Sequence, residues 1–264
     1  MFWQDQSSAL SQHGEILVSA KDSSVDTADT SRPLVHYAIG DVHGESDRLK
    51  RLHAAIHLRH DKLYAQHDYK IVHLGDYVDR GPDSAGTLAF LIECQATDPG
   101  RIICLRGNHE QMMIEGHDPD DIIARDMWLR NGGKETLESY QKMGLEGVPQ
   151  SHLAWLKSLP DIYVEDEQKL IFVHAGVDTR EYPNCRPGRR LWTRASTFFR
   201  TENWDNPELC AHTVVHGHTP TDDFFPDVEG DISRRINVDT GAVYGGRLTA
   251  VCLTRHGEPS FIYA

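Results

Sequence analysis

LVHYAIGDVHG, residues 34–44, is an apolar run of strand length that stops at Gly-Asp and offers a histidine two residues later. The same form recurs downstream: YKIVHLGD at 69–76, RIICLRGN at 101–108, KLIFVHAG at 169–176 and TVVHGH at 213–218. Short apolar runs with β-branched members and a glycine stop read as buried strands. Between the first three runs the periodicity changes. Leu49, Leu52 and Ile56 recur at helical spacing, and Leu88, Leu91 and Ile92 follow the turn GPDS. Strand, helix and strand in succession predict a parallel sheet, hence an α/β fold.

Residues 111–160 differ and read as a helical insertion, broken at Asn131-Gly132-Gly133, with Ser151 as the N-cap of its last helix. DIYVEDEQKLIFV (161–173) alternates about a polar centre, as a hairpin does. After Thr213, INVDT, RLTAVCLT and PSFIYA are expected to be short strands of a second, more antiparallel sheet. Residues 1–32 are polar, with Ile16–Val18 their only apolar stretch, and are expected to be a mobile extension ahead of one domain at 33–264.

Composition removes several classes of function. The 264 residues carry 27 basic and 40 acidic side chains, a formal charge of −13, so the cationic footprint of a nucleic-acid binder is missing. No apolar run approaches the roughly 18–20 residues of a membrane span. The N-terminus has neither the basic nor the apolar region of a secretory signal. Five cysteines without a CxxC pair read as reduced thiols of a cytoplasmic protein, with Cys104 in the core. None has an arginine six residues later, so a cysteine-nucleophile phosphate loop is excluded. The 16 histidines are expected mostly at the surface, those of the His-Asp dipeptides at 60, 67 and 117 included. Trp128, Trp155, Trp192 and Trp204 are expected to pack in the core or the insertion.

Five strand ends carry ligand-type side chains: GDVHG (40–44), GDYVDRG (75–81), RGNHE (106–110), HAG (174–176) and HGHT (216–219). In open α/β sheets ligands gather at the carboxyl ends of strands. One such motif alone is usually a turn or a cap, but five in one chain, each offering a different donor, point to a shared site. Carboxylate, imidazole and amide oxygen together suit Mn, Fe or Zn rather than calcium.

These five motifs, in this order, resemble the phosphoprotein phosphatase family of binuclear metallophosphatases, above all its bacterial and phage serine/threonine branch. The LRNGG break, LPDIYVEDEQKLIFVHAGV and INVDTGAVYGGRLT carry the same resemblance, which spans about 34–264. It implies a central β-sandwich of two mixed sheets flanked by helices, with a helical cap. It implies two divalent metal ions, Mn first with Fe or Zn as alternatives. Asp41 and His43 would hold one ion, Asp76 would bridge both, and Asn108, His174 and His218 would complete the second site. His216 would be structural. His109 would be the general acid, oriented by Asp79, while Arg80, Asn108 and Arg194 would bind the phosphate.

The implied reaction is hydrolysis of phosphomonoesters on protein Ser/Thr, or with dual specificity, by in-line attack of a metal-bridged hydroxide on phosphorus. The partner would be a phosphorylated protein or peptide. The alternative on the same metal core is hydrolysis of dinucleoside polyphosphates such as diadenosine tetraphosphate. Asp79 before Arg80 and Glu110 after His109 match the protein-phosphatase form, whereas the polyphosphate hydrolases tend to have Ala and Asp there. The insertion is expected to flank the metal mouth and select the substrate.

Overall fold

The structure, a computed structural model, describes residues 16–18, 32–231 and 234–264. After β1 (Ile16–Val18) the chain alternates β2 (Leu34–Ile39), α1 (Ser46–Leu63), β3 (Asp68–His73), α2 (Ser84–Thr97) and β4 (Ile102–Cys104). The insertion supplies α3 (Asn108–Glu115), α4 (Ile122–Trp128), a π turn at 129–133, α5 (Lys134–Lys142) and α6 (Gln150–Ser158). Next come β5 (Ile162–Glu165), β6 (Leu170–Val173), the short helices α7 (Pro187–Trp192), α8 (Ser196–Phe199) and α9 (Pro207–Cys210), and β7 (Thr213–His216). The strands β8 (Asp227–Glu229), β9 (Arg235–Asn237), β10 (Thr249–Leu253) and β11 (Ser260–Tyr263) complete the fold.

Two mixed sheets result, ordered β11-β10-β2-β3-β4 and β1-β5-β6-β7-β9-β8. Side chains alternate along each strand, so one face of the first sheet sends Ala38, Val72 and Val251 between the sheets to meet Phe172, Val215 and Ile236. The other face sends Tyr37, Ile39 and Ile71 to Leu49, Leu52 and Leu88 of the helices. A third apolar layer, with Ile171, Val173, Phe198 and Trp204, backs the second sheet. The layers are therefore helix, sheet, sheet, helix.

The expected hairpin forms, Ile162 pairing with Val173, and β2, β3 and β4 are parallel. Three expectations are corrected. RLTAVCLT and PSFIYA do not join the second sheet; β10 runs antiparallel to β2 (Ala250 opposite Ile39) and β11 pairs with β10. Every residue of β10 is buried, Val251 toward the other sheet and Ala250 toward the helices, because it fills the open edge of β2. Ser151 is not the N-cap of α6; Pro149 is, and Ser151 lies inside the helix. The histidines among the described residues are mostly internal: ten of them are buried, His60 included, whose Nδ1 meets the Tyr37 hydroxyl at 3.2 Å.

The expected mobility of residues 1–32 falls largely outside the described residues. Ile16–Val18 form a strand parallel to β5. Among the described residues no helix is long and apolar enough to cross a membrane.

Candidate metal centre

The carboxyl ends of β2, β3 and β4 in one sheet and of β6, β7 and β9 in the other face a common space. The turns that leave them bring nearly all the expected residues together. Five of the seven non-glycine residues with left-handed φ among those described are here: His43, Asp76, Asp79, Arg80 and His218. Such conformations cost on the order of 1–3 kcal/mol each and persist only where neighbours over-determine them. The amides of Val42 and His43 donate to the Asp76 carbonyl at 3.0 and 2.8 Å. Gly75, at φ 105°, lies against Gly107, whose nitrogen would be 2.6 Å from any Cβ added there.

Glu110, a residue to which the sequence reading gave no separate role, organises these turns. The amides of Asp76, Tyr77 and Gly107 donate to its carboxylate at 2.7, 2.7 and 2.8 Å. Its signal in the sequence is the capping-box position, three residues beyond the Gly107 N-cap. Burial and the Asp76 charge push its carboxyl up to about 7.

Ligand-type atoms converge in two groups that share Asp76, namely His43, Asp76 and His109, and Asp76, His174 and His218. In the second group His174 Nδ1 donates to the Leu74 carbonyl at 3.0 Å, so its Nε2 turns a lone pair inward. That nitrogen is 2.9 Å from Asn108 Oδ1, 3.2 Å from His218 Nδ1 and 3.3 Å from Asp76 Oδ1. In the tautomer that leaves His218 Nδ1 unprotonated, these are acceptors facing one another in a buried space, and a cation among them satisfies them together. His218 Nε2 is buried without a hydrogen-bond partner. In the first group His43 Nδ1 donates to the Val78 carbonyl at 2.8 Å, which leaves its Nε2 lone pair for the site. The donor set therefore fits divalent ions.

Asp41 lies outside both groups. Its carboxylate accepts the His218 amide at 3.1 Å and neighbours Asp239, a second residue without a role in the sequence reading, although INVDT is another strand end stopping at aspartate. Burial and these neighbouring carboxylates push Asp41 well up, and burial takes Asp239 to about 7. Burial would raise Asp76 too, but His174, His109, His43 and His218 outweigh it and hold its carboxyl low. Burial keeps the ligand imidazoles neutral, His43 down to about 3 and His218 to about 2.

His109 goes the other way. Burial alone would lower it, but the Asp76 charge and the Asp79 hydrogen bond raise it. Its Nδ1 lies 2.7 Å from Asp79 Oδ2, both residues being buried. Asp79 Oδ1 accepts two further bonds, from Trp128 Nε1 at 3.0 Å and the Thr136 hydroxyl at 2.7 Å. Arg80 sits over the first group, with Nη1 2.7 Å from His43 Nε2 and its guanidinium over Tyr244. Arg194 is exposed at the opposite lip, where Nη2 donates to the His218 carbonyl at 3.4 Å.

His216, expected to be structural, points away from the metal groups to Phe198 and Phe199 and lies 3.3 Å from an Arg235 nitrogen. Of the tryptophans expected to pack internally, Trp128 and Trp204 are buried. Trp192 is exposed at the rim, edge-on to His218.

The profile of the calcineurin-like phosphoesterases matches residues 37–246. Serine/threonine-protein phosphatase 1 of Salmonella typhimurium is 29% identical over 226 residues, covering 81% of this chain and 89% of its own. Asymmetrical bis(5'-nucleosyl)-tetraphosphatase PrpE of Geobacillus thermodenitrificans is 26% identical over 240 residues, covering 81% of this chain and 88% of its own. In fold, a serine/threonine phosphatase of Saccharomyces cerevisiae superposes with a TM-score of 0.55 at 12% identity, over 89% of this chain and 82% of that one.

Proposed function

The chain belongs to the calcineurin-like phosphoesterases, metal-dependent hydrolases, and on that premise we propose that it is a protein phosphatase acting on phosphoserine and phosphothreonine. The observation that carries this reading is the buried Asp79–His109 pair at 2.7 Å. Cleaving a serine or threonine phosphate expels a strongly basic alkoxide, which needs a proton in the transition state. An imidazole held protonated by a carboxylate supplies one. Expelling a nucleotide from a dinucleoside polyphosphate releases a weakly basic phosphate oxygen and gains little from such an acid.

Asp76, Asn108, His174 and His218 would hold one divalent ion, and His43 and Asp76, with Asp41 turning toward them, the other. Manganese is the ion proposed first. When bound, the ions activate water and neutralise charge developing on the phosphoryl oxygens. The residues of the chain do the rest. Arg80 and Arg194, on opposite lips, offer guanidinium forks to the phosphate oxygens and align the ester. Asp79 holds the His109 proton on Nδ1, which directs Nε2 of the ring toward the departing oxygen. A cytoplasmic location is proposed with this reading.

A second reading, hydrolysis of diadenosine tetraphosphate, has the PrpE similarity behind it at nearly the same identity. Phosphate release from a phosphoserine peptide, measured beside nucleotide release from diadenosine tetraphosphate with manganese present, separates the two. The expected result is a kcat/KM at least about tenfold higher for the peptide; the reverse order would overturn the protein-phosphatase reading.

A further inference from the structure

The insertion does not only border the site; it reaches behind it. Trp128, the last residue of α4, is wholly buried and its indole N–H ends on Asp79 Oδ1. A buried indole N–H needs an acceptor, and a carboxylate oxygen makes the bond charge-assisted. Thr136, in the first turn of α5, accepts from the Asp79 amide at 2.9 Å while donating to the same residue's carboxylate. The turn between them is shaped to allow both. Gly132, at φ 113°, gives its carbonyl to the Arg80 amide at 3.3 Å, and a Cβ there would meet that nitrogen at 2.5 Å. At Gly133 a Cβ would strike the Trp128 ring.

We propose that Trp128 and Thr136 are positioning residues of the reaction, through which the helical insertion holds the Asp79 carboxylate in the orientation that makes His109 an effective acid. With Oδ1 saturated by two donors, Oδ2 is left for the imidazole, and rotation of the carboxylate would break three bonds at once. The insertion thereby governs protonation of the leaving group, a role distinct from substrate selection. The inference rests on the reading of His109 as the acid, and it predicts a dependence on the leaving group that loose packing would not produce.

Trp128→Phe keeps an aromatic ring and removes the donor; Thr136→Val keeps the shape and removes the hydroxyl; Thr136→Ser keeps the hydroxyl. Each is compared with wild type and His109→Asn, all loaded with manganese, on a phosphoserine peptide and on 4-nitrophenyl phosphate, whose leaving group departs without a proton. For Trp128→Phe and Thr136→Val, kcat on the peptide is expected to fall about tenfold, the scale of a hydrogen bond to a charged group. On the aryl ester it is expected to fall less than about twofold, with KM and bound metal as in wild type and Thr136→Ser at the wild-type rate. His109→Asn should show the same split, enlarged to about 10²–10⁴ on the peptide. Equal losses on both substrates, or no loss, while His109→Asn shows the split, overturn the inference and leave the acid intact. A His109→Asn variant with equal losses removes the acid itself, and the inference with it. Should Trp128→Phe fail to fold, the Thr136 pair decides alone.

Discussion

At the strand ends, His43, His109, His174 and His218 surround the Asp76 carboxylate; behind the first sheet, His53 and His73 stack at 5.1 Å with their Nε2 atoms 3.1 Å apart. Both sets are buried in the same fold, one on the turns and the α3 N-terminus that follow strands and one in a helix and a strand. At the site, carboxylates offset desolvation enough to raise His109, while the ligand imidazoles remain neutral and ready to bind cations. In the core nothing offsets it: burial takes His53 down to about 4 and His73 well below the usual value. Burial lowers all of these imidazoles, and at His109 alone among them the Asp76 and Asp79 carboxylates outweigh it.

The sharpest break in the contrast is to remove the shared carboxylate. Asp76→Asn is expected to lower bound metal below that of wild type and kcat by at least about 10³-fold, measured by elemental analysis and turnover of 4-nitrophenyl phosphate. The double variant His53→Leu/His73→Leu should bind wild-type metal; if it loses metal as Asp76→Asn does, the two regions are not independent. Chelation sharpens the difference next. Ions bound only to the folded state stabilise it by mass action, so Tm should fall by about 5–10 °C with chelator in wild type and much less in Asp76→Asn.

Acid should reveal the core pair. His53 and His73 bind protons more weakly folded than unfolded, so the unfolded chain gains protons first as pH falls. Their neutral burial costs nothing above about 6.5, and stability is then lost progressively down to about 4, the folded value of His53. The slope is at most about 1.4 kcal/mol per pH unit for each histidine. Chemical denaturation across this range should be flatter in the double variant, and an unchanged slope would show that other groups carry the acid response. The smallest effect expected is on catalysis by that variant, a change in kcat below about twofold at neutral pH.

Much of this was written along the chain. Each strand end stopping at Gly-Asp, Gly-Asn or His is a local pattern, and the order of unlike donors is a one-dimensional fact. The break at 131–133 was equally visible, because consecutive glycines interrupt a helix wherever they stand. Hidden from the sequence were the sheet that β10 joins, the burial of most histidines and the turn of Asp41 toward the His218 amide. An apolar run announces that a strand is covered on both faces without naming its neighbours. A histidine between polar residues reads as exposed until the helix carrying it is laid on a sheet.

By itself the sequence determined the alternation of strands and helices and the inventory of donors, since periodicity and residue type are properties of short segments. Only the tertiary structure decided that Asp76 is common to two ligand groups, that Glu110 ties the amides of Asp76, Tyr77 and Val78 to one carboxylate, and that Trp128 and Thr136 stand behind Asp79. Those are contacts across tens of residues, and both hydrogen bonding and proton affinity depend on distances in space that no local pattern encodes.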